Sequence, residues 1–509
     1  MFQEKFKAIK YMVFIYRETP FLKTANMSEY RKIVLFAAGM TLYISGLFTN
    51  VVADPDLWGY LAFGRLFWES NQFPYHDVYS YIPTKELWVY HEWLTGVLFY
   101  PVYHWAAGTG LQALRYAIIL LTVGLVFMAA MKRRSKPVPA MIVLFLSANA
   151  LTYGYSPVRA QVFTYLFFAL SIYILERCKK EQTFTLLWWL LPVYLMWCNA
   201  HGGFPAGLGL LALYAAGEAL SGRSALPYLL ALTASAMVTL INPYGIDYWR
   251  YTIDAVSMPR PDIIEWMSIP TAIKSGKFIE ASTLFISFLV ISALLIIRHG
   301  RRNYTEILVL AVTACLGFMH IRHSIFFFLT FGAYVPVILS DFFNSLKTES
   351  EKYRRLPTVT RFAWPLAVLL FALLSLSSFA KFVLTPSLSI LTPQPYYPVG
   401  ALQWINAHQW KGNILPHFDW GEFLIWNCHP DSRVGMDGRF ETVYKKSDHE
   451  EYFNFLLGRN DWGRFLERYP HDMVLIRPNT QTDVLMRRHP GWQLTYEDEG
   501  CVIFLQKKK

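Results

Sequence analysis

Between Ile33 and Lys381 the chain returns again and again to apolar stretches close to the roughly 20 residues that a helix needs to cross the hydrocarbon of a bilayer. In lipid such a stretch can satisfy its backbone only internally, so helices are dictated. Charged residues are 16% of the chain and hydrophobic ones 54%, against about 25% charged in a soluble domain. Lipid-facing surface is the simplest cause of that deficit. After Thr385 the composition changes to that of ordinary water-exposed protein. The fold class read from this pattern is an α-helical polytopic membrane protein with a small C-terminal α/β domain.

Eleven spans are expected, at 33–52, 110–131, 138–153, 162–176, 184–199, 204–220, 225–241, 279–297, 304–320, 324–340 and 362–381. The stretch 93–106 is broken by Pro101 and His104 and reads as an interfacial helix. With the N-terminus inside, the inner segments hold 23 Lys and Arg, including Lys132, Arg133, Arg134, Lys136, Arg301 and Arg302, and the outer loops up to Arg322 hold 8. The positive-inside rule then places residues after the last span outside. The net charge of +11 is therefore a topology signal, and no nucleic-acid partner is expected. About 30 residues precede the first apolar run and no small-residue cleavage site follows it, so a retained first helix is expected instead of a cleaved signal.

The domains expected are a cytoplasmic segment 1–32, a membrane domain 33–384 with long outer loops 53–109 and 242–278, and an extracytoplasmic α/β domain 385–509. In the last, helical patterns at 399–408, 421–427, 450–457 and 462–469 alternate with strand patterns at 413–415, 473–476, 492–496 and 501–505. The five cysteines contain no CxxC pair, so no zinc site is indicated. A bridge between Cys428 and Cys501 stays open, since spacing does not fix their separation.

The chemistry-bearing residues fall on the expected outer face. Asp54 and Asp56 flank Pro55 directly after the first span. One carboxylate there can cap the following helix, but a cap needs only one. The second is free to accept a proton from a hydroxyl nucleophile, with Asp56 the candidate base and Asp54 its partner. His91 and Glu92 open the interfacial helix; interface preference explains them, as does a shared titratable cluster. Arg159 is the lone cation of its outer loop, suited to headgroup contact or to a phosphate. His201, followed by Gly202 and Gly203, begins the sixth span, where glycines allow close approach of a ligand or of another helix. His320, Arg322 and His323 meet at the outer end of the ninth, suited to snorkelling or to a lipid phosphate.

Together these residues resemble the GT-C superfamily of polyprenyl-phosphate-dependent glycosyltransferases, particularly bacterial membrane proteins similar to protein mannosyltransferases and lipid A aminoarabinose transferases. The likeness covers most of the chain. It rests on Asp54, Pro55, Asp56, Leu57 and Trp58; on Pro74, Asp77, Tyr79 and Ser80; and on Trp88, His91, Glu92, Trp93 and Leu94. It continues through Tyr155, Ser156 and Arg159; Asn199, His201, Gly202 and Gly203; Asn242, Pro243, Tyr244 and Gly245; Arg322 and His323; and Asp437, Gly438, Arg439, Phe440 and Glu441.

The resemblance implies inverting transfer of a sugar from a lipid phosphate to an acceptor hydroxyl in an outward-facing cavity, at a bacterial cytoplasmic membrane. Asp56 maps best onto the family's base. Arg159 and Arg322, with His323 next, would meet the leaving phosphate, and His91, Glu92, His201 and Tyr244 complete the implied substrate contacts. The partners implied are a polyprenyl-phosphate-linked sugar, a glycan, lipid or protein acceptor, and membrane lipids. No cofactor is expected. The oligosaccharyltransferase branch uses a divalent ion with acidic residues in the second outer loop, but 154–161 contains no acid, so a metal-independent reaction is expected. Two rivals are a transporter or flippase of lipid-linked sugars and a non-catalytic scaffold of the cell envelope. A transporter would carry charge near the bilayer midplane, whereas Arg115, Glu218, Glu280 and Glu306 lie towards span ends.

Overall fold

The structure, a computed structural model, describes residues 27–155, 158–258, 260, 263–299, 303–353 and 357–507. Segment 1–26, Ser156, Pro157, Arg301 and Arg302 lie outside the described residues. Each of the eleven apolar stretches is helical, from Met27–Leu47 to Pro357–Leu384. Among the described residues six helices are long and apolar enough to cross a membrane: Trp93–Lys132, Pro137–Tyr155, Gln161–Glu181, Ile279–Arg298, Ile321–Ser345 and Leu366–Leu384. Four more apolar helices, Phe184–Ala200, Phe204–Leu220, Leu226–Val238 and Tyr304–Met319, are shorter. The chain is a multi-pass membrane protein.

The helix Trp93–Lys132 has non-helical backbone at Ala107. The kink separates an N-terminal piece, where Trp105 is exposed, from the apolar piece that follows. Packed on that N-terminal piece is the helix Leu57–Ser70, and the crossing is close enough that a Cβ on Gly64 would lie 2.2 Å from the Gly96 carbonyl oxygen. Only glycine fits such an approach.

The C-terminal part carries a five-stranded sheet of order β2-β1-β3-β5-β4, with β1 Gly412–Pro416, β2 Ser432–Val434, β3 Met473–Ile476, β4 Trp492–Glu497 and β5 Val502–Gln506. β1 pairs parallel with β2 and β3, and β5 antiparallel with β3 and β4. The β2 strand and the helices Phe440–Val443 and Gln481–Arg488 have no counterpart among the elements expected from the sequence; β2 is three residues long, too short for a period-2 pattern to show. Cys428 and Cys501 are both free thiols.

This sheet does not form its own core alone. Leu57, Trp58, Leu61, Phe63, Tyr79 and Trp88 of the segment 53–109 belong to the same buried cluster as Leu415, Trp420, Val474 and Ile503. The loop also pairs with the outer edge of β2: Val434 N–H donates to the Tyr79 carbonyl and Tyr81 N–H to the Val434 carbonyl. A sheet edge left open would be a pairing liability. Arg439 reinforces the junction. Its guanidinium takes Asp437 through two nitrogens, Nε–Oδ1 at 2.8 Å and Nη2–Oδ2 at 2.7 Å, reaches Asp77 of the loop, and lies over the rings of Tyr79 and Trp88.

Candidate active site

Two buried side chains aim the turns that carry the site. Arg115 donates to the carbonyl oxygen of Phe48 at 2.5 Å and to that of Tyr155 at 3.4 Å. These carbonyls end the helices Met27–Leu47 and Pro137–Tyr155, where a cation is favoured by the helix dipole. The segments that follow deliver Asp54 and Arg159. Gln112 adds a hydrogen bond to the Asn50 carbonyl, and Ala53 N–H donates to the Leu391 carbonyl, fixing the start of the loop from both sides.

Asp54 accepts the Asp56 N–H on Oδ1 at 3.1 Å. The cap expected of Asp54 therefore closes the turn ahead of the helix, which begins at Leu57. The helix itself is capped from the other end of the chain: Glu422 Oε2 accepts the Gly59 N–H at 3.1 Å. Asp56 makes no side-chain cap. Its Oδ2 lies 2.5 Å from Arg159 Nη2, while Arg159 Nε is 3.3 Å from Asp54 Oδ1 and Nη1 is 3.3 Å from Glu265 Oε2. The other oxygen of Glu265 meets Arg322 Nη1 at 2.8 Å. Arg322 and Arg260 both lie over the ring of Trp266, and Arg260 pairs with Glu441 at 2.8 Å.

Part of this network lines a cavity of about 350 Å³: Asp54, Asp56, Arg159, Ile264 and Glu265, together with Asp419, Glu422 and Gly438 of the C-terminal part. Ile264 and Phe278 form an exposed apolar lip. A Cβ on Gly438 would stand 3.1 Å from Glu422 Oε1 and 3.3 Å from Asp56 Oδ1. Glycine at 438 keeps that end of the cavity open.

Burial raises Asp54 to about 7, helped by Asp56 and Glu265 and opposed by Arg159. Burial, with Asp56 and Asp437 nearby, likewise pushes Glu422 well above the carboxylate range. Burial works against the charge of Arg159, but its three acids outweigh it and raise its pKa further. Glu265 ends up lowered: burial alone would raise it, and Arg322 and Arg159 more than reverse that.

A second group adjoins. Glu92 Oε1 is 3.4 Å from His201 Nε2 and 3.7 Å from His91 Nε2. His201 Nδ1 accepts the Gly203 N–H at 2.9 Å, which leaves Nε2 as the protonated nitrogen, directed at Glu92. Burial first, then the Asp56 charge, raises Glu92 to about 8, and burial lowers His91 to about 4. Glu92 thus holds a proton near neutral pH.

Two sequence candidates stand elsewhere. The Tyr244 hydroxyl accepts the Tyr90 N–H at 3.0 Å, and its ring packs on Phe73 and Tyr75. The His323 ring faces Trp266 and Phe326, so of the triplet His320, Arg322 and His323 only Arg322 pairs with the carboxylates. Glu265 is not among the candidates that the sequence singles out, and Glu422 stands in the polar turn Asp419 to Glu422, which the sequence reads as turn chemistry, as acceptor binding or as a cover over the cavity. The signal for Glu265 is electrical: Arg159 and Arg322 need a counter-ion, and an acid beside a tryptophan lies in the long outer loop 242–278.

The donors Asp54, Asp56 and Glu265 all converge on one guanidinium. A divalent ion using them would have to take the place of Arg159, so this donor set does not fit a metal. Among the described residues no group of three His, Cys, Asp or Glu is placed to hold one.

No protein-family model and no curated protein matches this sequence. Solved structures do match in fold. The oligosaccharyltransferase of Archaeoglobus fulgidus, tethered with an acceptor peptide containing the NVT sequon via a disulfide bond, gives a TM-score of 0.54 at 12% identity, covering 88% of this chain and 69% of that one. ArnT from Cupriavidus metallidurans in the apo state gives 0.52 at 12% identity, covering 94% of this chain and 98% of that one. Both neighbours belong to the GT-C superfamily, and this chain has the GT-C fold.

Proposed function

We propose that this protein is an inverting glycosyltransferase that moves a sugar from a polyprenyl-phosphate donor to an acceptor hydroxyl at the outer face of a bacterial cytoplasmic membrane. The observation that carries the reading is a cavity lined by Arg159 and five carboxylates beneath an apolar lip, with Arg322 joined to its wall through Glu265. An anionic headgroup with a hydrocarbon tail suits both features. The acceptor, a glycan, lipid or protein, enters from the side of Asp419 and Glu422.

In this mechanism Asp56 is the base. Its Oδ1 accepts no hydrogen bond among the described residues, and the space over Gly438 admits a hydroxyl. The acceptor oxygen gives its proton to Oδ1 and attacks the anomeric carbon, and the bond from that carbon to the phosphate oxygen breaks. Arg159 and Arg322 stabilise the charge gathering on the departing phosphate. Asp54, more deeply buried, orients Asp56 through the Asp56 N–H and through Arg159. Glu92 and His201, paired with each other beside Asp56, complete the polar surroundings of the base.

Asp56→Asn tests this. The change keeps shape but removes the proton acceptor, so the folded protein should accumulate while donor consumption falls roughly 10²–10⁴-fold. Full activity in Asp56→Asn together with loss in Asp54→Asn would transfer the role to Asp54. Full activity in both would remove the mechanism. Topology is tested separately: reporters fused after Ser135 and after Leu505 should report opposite sides, and a cytoplasmic Leu505 fusion would contradict the orientation.

A further inference from the structure

The carboxylate of Glu265 bridges two arginines, one oxygen on each: Oε1 with Arg322 Nη1 at 2.8 Å and Oε2 with Arg159 Nη1 at 3.3 Å. Two anionic oxygens of one group, shared between two guanidinium forks, is how a phosphate engages an arginine pair. The backbone beneath is held firmly. Trp266 N–H donates to the Ile263 carbonyl, Ile321 N–H to the Met267 carbonyl, and His320 Nδ1 lies 2.7 Å from the Trp266 oxygen. The side chain is not so confined. It is 30% exposed and lines the cavity, so a rotamer change alone takes its carboxylate out to solvent.

An anion site at a membrane edge must choose its ligand among a dense layer of phospholipid headgroups. Without Glu265, Arg322 and the Nη1 edge of Arg159, whose other nitrogens stay on Asp54 and Asp56, would hold any of them. Discrimination needs an element that works against the wrong ligand as well as for the right one. On the transfer reading above, we propose that Glu265 is a specificity-determining residue whose carboxylate occupies the seat of the donor phosphate. A phosphate displaces it only when the rest of the ligand adds contacts, sugar against Asp419 and Glu422 and chain against Ile264 and Phe278. A phospholipid headgroup, bringing little beyond its phosphate, leaves Glu265 in place.

The proposal has an unusual sign: removing a charged residue from the site should tighten binding. The full-length protein in a nonionic detergent free of phosphate and sugar is titrated with a short-chain polyprenyl phosphate and, separately, with phosphatidylglycerol. Glu265→Gln should bind phosphatidylglycerol about tenfold more tightly than wild type, and phosphatidylglycerol should then compete with polyprenyl phosphate at correspondingly lower concentration. Glu265→Asp, which keeps the charge, should stay near wild type. The gain must vanish in the double variant Glu265→Gln, Arg322→Gln. Equal or weaker phosphatidylglycerol binding by a Glu265→Gln protein of normal melting temperature overturns the proposal, as does a gain that survives loss of Arg322. Sugar transfer by the same variants is measured separately. A tenfold gain with no sugar transfer by any variant upholds the seat and removes the transfer reading; unchanged lipid affinity with normal transfer does the reverse.

Discussion

Two arginines in this chain each stand between carboxylates from separate elements, and they meet opposite fates. Arg133, at the C-terminal end of the helix Trp93–Lys132, pairs with Glu176 at 2.7 Å and with Glu306, and lies over the ring of Tyr334, while the Tyr214 hydroxyl donates to Glu176. All three charged side chains are 5–10% exposed. Arg159, just ahead of the helix Gln161–Glu181, has the same partners in kind, yet it, Asp56, Glu265 and Arg322 keep 18–30%. The pairing chemistry is alike, so what separates a structural clamp from a site is access. A sealed ion group can only hold helices together, whereas one that lines a cavity can exchange a protein anion for a ligand.

The largest expected effect splits the pair directly. Arg133→Met leaves two buried carboxylates unpaired, which costs about 3–5 kcal/mol, so folded protein should be scarce. Arg159→Met should accumulate and melt near wild type while turnover falls roughly 10²–10³-fold, the usual loss for one charge-stabilising donor. Equal damage to melting temperature in the two variants would erase the distinction.

Replacing the sealed group whole sharpens it. With Arg133, Glu176 and Glu306 all changed to Met or Leu no charge is stranded, and stability should return to wild type or exceed it by about 1–4 kcal/mol. Activity should be kept, as measured by donor consumption. A dead but stable triple variant would mean that the sealed clamp takes part in function.

A smaller effect is expected from Arg159→Lys and Arg322→Lys. Charge survives but the planar fork is lost, so turnover at saturating donor should drop about tenfold, the equivalent of about 1.4 kcal/mol. Wild-type turnover in both would take these residues out of phosphate binding.

The smallest effect concerns pH. Glu92 is raised from its ordinary value to about 8 by burial and Asp56, so the folded state favours its protonated form. Its contribution to stability is complete below the unfolded carboxylate value and is lost as pH rises through about 8. Glu92→Gln, fixed in the neutral form, should match wild type in acid and melt about a degree or two higher above pH 8. Parallel melting curves against pH would show that Glu92 is not the group titrating.

Much of this molecule is legible in the amino-acid sequence by itself. The run of apolar stretches dictates a multi-pass helical chain, because backbone in lipid has no other way to bond. Asp54, Asp56, Arg159 and Arg322 stand out because charge beside a bilayer is expensive and needs a reason. The α/β character of the C-terminal part follows from short alternating patterns, apart from β2 and the helices Phe440–Val443 and Gln481–Arg488.

What the tertiary structure alone decided is who meets whom. Arg159 reaches Asp56 across 103 positions and Glu265 across 106, and Glu422 caps a helix 363 positions away. No local periodicity encodes such pairs. They are set by helix crossings such as Gly64 on Gly96, by the carbonyls gathered on Arg115, and by the core that the segment 53–109 shares with the sheet. The sequence separates Arg133 from Arg159 by the expected side of the membrane, but not by which of the two is sealed. Exposure comes from packing summed over the whole fold, and exposure is what leaves one of them open to a ligand.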